Sequence, residues 1–132
     1  MKVSELMHTD VETVRPDATL ADVVETLADR HITGVPVVDR CGKMLGVVST
    51  TDILEAQAEG LAGKAGWEDR MVEDVMSRPA LTIAGHADVR EAALRMLYAE
   101  VHRLFVERNG ALAGVISQTD IVRALATQRL AG

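Results

Sequence analysis

The chain has 132 residues, 48% of them apolar and 26% charged, and its 14 Lys and Arg against 20 Asp and Glu leave a formal charge of −6. That size is enough for one globular module with a buried core. With a single Trp, Tyr and Phe the core must be aliphatic, and a base-stacking platform is excluded. The cations are scattered singly through an acidic chain, so the basic stripe needed for nucleic-acid binding is missing.

No stretch approaches the continuous apolar run of a membrane span, and the opening MKVSELMHTD has no apolar signal-peptide core. Neither nucleic acid nor membrane is expected as a partner. Cys41 is the single cysteine, so an intrachain disulfide is excluded. A lone thiol beside Gly42 in a turn suits a reducing compartment, and a cytoplasmic location is expected.

In chain order, a short segment around Thr13 and Val14 reaches a turn at Pro16. A helix then starts with Thr19 and Asp22 as a capping box and carries Leu20, Val23, Val24 and Leu27 on one apolar face. Strands follow at Val35 to Val38 and Leu45 to Val48, joined across Asp39, Arg40, Cys41 and Gly42, and a second helix begins near Asp52. Glu55 to Asp69 mixes Ala with glycines and reads as helix end plus linker. The same order then returns. Thr82 and Ile83 lead to a Gly85 turn. Asp88 and Glu91 start a helix burying Val89, Ala92, Ala93, Met96 and Leu97. Strands Leu104 to Val106 and Leu112 to Ile116 flank Asn109-Gly110, a strong hairpin signal. A last helix begins near Asp120.

The recurrence is also one of letters. GVVSTTDI at residues 46 to 53 returns as GVISQTDI at 114 to 121, identical at six of eight positions and offset by 68. VSELM from Val3 aligns with VEDVM from Val72 at an offset of 69. One residue is lost between these landmarks, and the strand VPVVDRCG facing LFVERNG is the expected place. The chain is thus a tandem of two β-α-β-β-α units, an α/β (α+β) protein with a first repeat at 1–58, a linker at 59–70 and a second repeat at 71–132. Each repeat alone is too small to bury an adequate core, so the two are expected to pack about a pseudo-twofold axis with related clefts between them.

Two such copies, each with a GVPVVD- or RLFVE-type strand and each closing with G-x-x-S-x-x-D (Gly46 to Asp52, Gly114 to Asp120), resemble a CBS-domain pair over nearly the whole chain. The resemblance implies a stand-alone regulatory module, usually a homodimer, that binds adenosine-containing ligands such as AMP, ADP, ATP, S-adenosylmethionine or a dinucleotide and is not an enzyme. The residue chemistry fits that use. A carboxylate at a helix start, Asp52 or Asp120, can accept from both hydroxyls of a ribose. Ser49 and Ser117 add hydroxyls, and free helix N–H groups favour a nearby phosphate. The same spacing is also a capping box, with Ser as cap and Asp as its third-position partner. Duplication favours a ligand role for at least one of the two.

In the family the Asp of one repeat works with segments of the other. Carried over, Asp52 and Ser49 would work with Ala80, Leu81, Val101, His102 and Arg103. Asp120 and Ser117 would work with Val11, Glu12, Ile32, Thr33, Gly34 and Val35. His102 and Arg103 resemble a phosphate-contacting pair, whereas Thr33-Gly34 carries no charge, so a phosphorylated ligand should prefer Asp52. Arg103 could instead pair with Glu100, and Glu12 would repel a polyphosphate at the second site.

Catalytic signals are missing. Cys41 has no partner base, no G-x-S-x-G elbow occurs, and His8, His31, His86 and His102 lack metal-ligand spacing. GLAGKAG at Gly60 to Gly66 lacks the phosphate-loop pattern. No cofactor is required. The rival to a ligand sensor is a scaffold with vacant clefts that dimerises through Ile53, Leu54, Ala58, Ile121, Val122 and Leu125. In either case the polypeptide that responds is an effector outside this chain.

Overall fold

The computed structural model describes the backbone of residues 1–61 and 66–131 and the side chains of residues 1–60 and 66–128. The chain divides into two compact units, Glu12–Ala80 and a discontinuous one made of Met1–Val11 with residue 81 onward. These units cut the chain differently from the repeats. The opening segment of each repeat is built into the unit formed by the body of the other.

In the unit Glu12–Ala80, helix α2 (Leu20–Arg30) follows the short helix α1 (Val3–Leu6) of the other unit in chain order. The expected capping box is formed, with Thr19 Oγ1 accepting from the Asp22 N–H and the Asp22 carboxylate accepting from the Thr19 N–H. Strands β1 (Gly34–Val38) and β2 (Met44–Ser49) pair antiparallel and lead into α3 (Thr50–Leu61). A 3₁₀ turn at Trp67–Asp69 and the short α4 (Val72–Val75) complete the unit. Leu20, Val23 and Leu27 of α2 meet Val35, Val37, Val48, Ala56 and Val72 in an aliphatic core, with Trp67 packed at its edge. Of the GLAGKAG stretch, residues 62–65 lie outside the described residues.

The other unit holds α1, β3 (Thr82–Ala84), α5 (Val89–Ala99), β4 (Arg103–Arg108), β5 (Ala111–Ser117) and α6 (Gln118–Ala131). Its sheet runs β3-β4-β5, parallel then antiparallel. Val3 of α1 is fully buried here with Ile83, Ala92, Met96, Leu104, Val106, Ile116 and Ile121. Val72 of α4 holds the equivalent place in the first core.

The leading strands come out unequal. Thr82–Ala84 forms a strand, whereas Val14 makes one parallel bridge to Val37. The cause is Pro16: its counterpart Gly85 donates its N–H to Glu107 O at 3.2 Å, and proline has no N–H to continue the ladder. The missing residue falls at the turn end of the expected segment, past the paired strand residues. Val38 pairs with Met44 and Glu107 with Leu112, so the strands keep register and the difference of one lies in the hairpin turn. The longer turn is held by the Asp39 carboxylate, which accepts from the N–H groups of Cys41 and Lys43. The shorter one is closed by Asn109 and Gly110, both at positive φ, as a two-residue hairpin requires.

One helix expectation is corrected. Leu97 of α5, expected on the buried side, is exposed, because Ala92 and Met96 already occupy the core-facing stripe. Asp88 and Glu91 stand at the start of α5 as expected. Asp88 caps α5 by accepting from the Arg90 N–H, and Glu91 pairs with Arg95 one turn on.

Candidate functional site

Helices α3 and α6 start two residues before Asp52 and Asp120, so Ser49 and Ser117 stand at the cap position and each Asp at the third residue of its helix. The capping reading is realised at both places. Asp52 Oδ2 accepts from the Ser49 N–H at 2.8 Å and from its hydroxyl at 3.1 Å, and Asp120 Oδ2 accepts from the Ser117 N–H at 2.8 Å and its hydroxyl at 2.9 Å. Each Ser Oγ in turn receives the Asp N–H. Both carboxylates are buried, at 9% and 7% exposure, so each needs partners for its remaining lone pairs.

Those partners come from the exchanged segments. Ser77 follows α4 and its backbone exchanges two hydrogen bonds with Val47, while His8 follows α1 and does the same with Val115. The glycine that opens each G-x-x-S-x-x-D motif permits this approach. A Cβ on Gly46 would lie 2.7 Å from Ser77 O, and one on Gly114 would lie 2.6 Å from His8 O. At Asp52 the Ser77 hydroxyl donates to Oδ1 at 3.1 Å. At Asp120 the same place is taken by imidazole, with His8 Nε2 at 2.7 Å from Oδ1. Burial alone would raise the Asp120 pKa. The Ser117 N–H, His8 and the Ser117 hydroxyl outweigh it and hold the carboxyl below its usual range.

Ser77 and His8 are functional-site residues the sequence reading missed. Their signal was present: they directly follow Met76 and Met7, the last letters of the aligned VEDVM and VSELM.

The other expected site residues distribute as follows. Beside Ser49, the Thr33 carbonyl accepts from the Thr50 N–H at 2.9 Å and Gly34 pairs with Ser49. Ile32 is partly packed against the core. Val35 is fully buried, so its side chain is unavailable to a ligand. Glu12 forms an ion pair with Arg30 at 2.6 Å, which offsets the repulsion expected from it. Ala80 and Val11 are half-buried and Leu81 is exposed. Beside Ser117, His102 O accepts from the Gln118 N–H and the His102 ring lies 3.2 Å from Gln118 Oε1. Val101 packs partly on the core, and Arg103 pairs with Ser117 across the strands. Arg103 is exposed and, among the described residues, makes no ion pair, with Glu100 or any other carboxylate. Within each unit, therefore, Thr33 and Gly34 lie by Asp52, and His102 and Arg103 by Asp120. The expected groupings draw on both units.

Two hollows among the described residues are lined by other side chains. One of about 330 Å³ is lined by Glu12, Asp22, Glu25, Thr26, Asp29 and Arg30, and one of about 490 Å³ includes Lys2, His86, Glu107 and Arg108. Among the described residues no group of three or more His, Cys, Asp or Glu could hold a metal ion, and no helix is long and apolar enough to cross a membrane.

Duplicated β-α-β-β-α units, each presenting a capped carboxylate behind a close-approach glycine, define a tandem repeat pair. The CBS domain family model matches residues 3–59 and 72–127, and the chain belongs to that family as a CBS-domain pair. It is 32% identical over 95% of its length to the uncharacterized protein MJ1232 of Methanocaldococcus jannaschii, covering 40% of that protein. It is 27% identical over 87% of its length to the CBS domain-containing protein CBSX1, chloroplastic, of Arabidopsis thaliana, covering 59% of it. The chain thus spans little more than half, or less, of these relatives. Among solved structures it resembles CBSX2 in complex with AMP, with 28% identity, a TM-score of 0.83 and coverage of 97% of this chain and 98% of that one. CBS modules generally bind adenosyl ligands and regulate partners.

Proposed function

We propose that this chain senses an adenine nucleotide of the AMP, ADP or ATP type, or S-adenosylmethionine, and passes the resulting change of shape to an effector protein. The observation that carries the reading is the Asp52 carboxylate. One of its oxygens is fixed by the helix cap, and the other is held by a single rotatable hydroxyl, Ser77, which can yield to the hydroxyls of a ribose or bond to them itself. As in the sequence reading, Asp52 and Ser49 are the sugar-holding pair, His102 and Arg103 remain the phosphate candidates, and Ala80, Leu81 and Val101 the base candidates. The unpaired Arg103 supports that role, as does the AMP bound by CBSX2. A ligand shifts the shape equilibrium only by its differential affinity for the two states. The exposed free thiol of Cys41 supports a cytoplasmic setting.

A homodimer is part of this proposal, through a face revised from the expected one. Ile121 is buried and Ile53 is partly packed in its own core, so neither is available, whereas Leu54, Val122 and Leu125 of the expected face are exposed. Leu94, Leu97 and Tyr98 of α5, with Val122 and Leu125 of α6, are each more than half exposed, and the two helices pack together. On α2 the positions aligned with the α5 residues are Glu25, Ala28 and Asp29. The apolar α5–α6 face fits a second copy of itself, because an acidic face opposed to its own copy is repelled.

A thermal-shift titration with AMP, ADP, ATP, NAD and S-adenosylmethionine tests the sensor. Ligand at 100 times its Kd adds about 2.7 kcal/mol to the folded state. The expected result is a shift with one of them that disappears in Asp52→Ala. No shift with any would favour a scaffold with vacant clefts, a reading that the already satisfied carboxylates would also suit.

A further inference from the structure

The hydrogen bonds that hold the two carboxylates match in all but one side-chain partner. Cap serine, close-approach glycine, two-bond backbone bridge and carboxylate burial are the same in both units, and the residue after the bridging methionine is Ser77 at Asp52 and His8 at Asp120. The difference is chemical. An ionised carboxylate only accepts, so the His8 ring donates its Nε2–H to Oδ1. A serine hydroxyl can turn aside and both donate and accept. An imidazole in this place has only its N–H to offer, and once protonated it adds an ion pair to a bond that the carboxylate's charge already strengthens.

We propose that His8 is a specificity-determining residue that guards Asp120: a vicinal diol reaches this carboxylate only by displacing the imidazole, so the Asp52 carboxylate is filled first. This rests on the nucleoside reading above. His8 is 62% exposed on its side chain against 7% for Asp120, so the ring can swing into solvent while the carboxylate stays in place. The guard is therefore a movable one. It is also pH-dependent, because protonating the ring strengthens its hold. Of the elements packed against His8, β5 carries no titratable side chain, and α6 carries Asp120 and, further along, the exposed Arg123. Asp10 follows on its own segment.

The test is calorimetric titration of the full chain with adenosine, which carries no phosphate to titrate, at about pH 5.5 and pH 8, either side of the usual imidazole range. Wild type is expected to show one dominant site, lost in Asp52→Ala and kept in Asp120→Ala. His8→Ser should strengthen the second site by roughly tenfold at the lower pH, because the cationic donor that the diol must displace is replaced by a neutral hydroxyl, and remove its pH dependence. Ser77→His should weaken the Asp52 site in the same way. Two equal sites in wild type, or unchanged binding in His8→Ser while Asp52→Ala abolishes it, would overturn the guard and leave the nucleoside reading intact. If adenosine binds neither wild type nor His8→Ser, both fall.

Discussion

The two units carry the same carboxylate on the same scaffold and differ in what holds it. In one, a hydroxyl that can yield stands at the outward oxygen of Asp52; in the other, an imidazole stands at that of Asp120. Duplication conserved the parts that geometry demands: the glycine with no room for a Cβ, the serine cap and the buried acid. The position that varies is the one at the second carboxylate oxygen. A repeated fold can in this way offer two acceptors of different strength from one motif.

The sharpest way to break the comparison is at the glycines. Gly114→Ala would put a methyl group 2.6 Å from a backbone carbonyl and 2.9 Å from Met7 Sδ, and Gly46→Ala would put one 2.7 Å from Ser77 O. Each is expected to destabilise by about 2–3 kcal/mol in urea unfolding, the upper range for overpacking. Gly34→Ala is the control, since its Cβ would meet Val47 Cγ1 at an ordinary 3.6 Å. If it matches the other two, close approach is not what the motif glycine serves.

A smaller effect separates the units by pH. Asp120 is held below its ordinary pKa, so in the acid range the unfolded chain binds the proton more readily than the folded one. The stability this provides is complete above the unfolded carboxyl value and is lost as pH falls through the folded one. Asp120→Asn should remove that part of the acid sensitivity, seen as a shallower fall of the urea midpoint below about pH 4. An unchanged slope would show that His8 and Ser117 do not stabilise the ionised acid.

The smallest expected change lies at the helix starts. Thr19→Ala removes one half of the reciprocal cap of α2 and should cost about 1 kcal/mol. Helix α5 carries a single acceptor at Asp88 and supplies the comparison. A cost near zero would mean that α2 is held by Leu20, Val23 and Leu27 alone.

Much of the molecule was legible in the letters, for local reasons. The Thr19–Asp22 cap, the apolar stripe of α2, the Asn109-Gly110 hairpin and the duplicated G-x-x-S-x-x-D motif depend on residues a few positions apart, and helix and strand periodicities display them directly. Leu97 was misread because its spacing fits a buried face that Ala92 and Met96 already fill. Which unit receives each leading segment was not local information. Val3 and Val72 read alike, and their destination depends on which core has a vacancy for each.

By itself the sequence determined the duplicated architecture, the family and the two acidic residues, since repetition and short-range hydrogen bonding are written in order along the chain. Only the tertiary structure decided what each carboxylate touches. Ser77 lies 25 positions from Asp52 and His8 lies 112 from Asp120. Contacts of that separation form when folding brings the exchanged segments against β2 and β5, and there a single side chain makes two copies of one motif different.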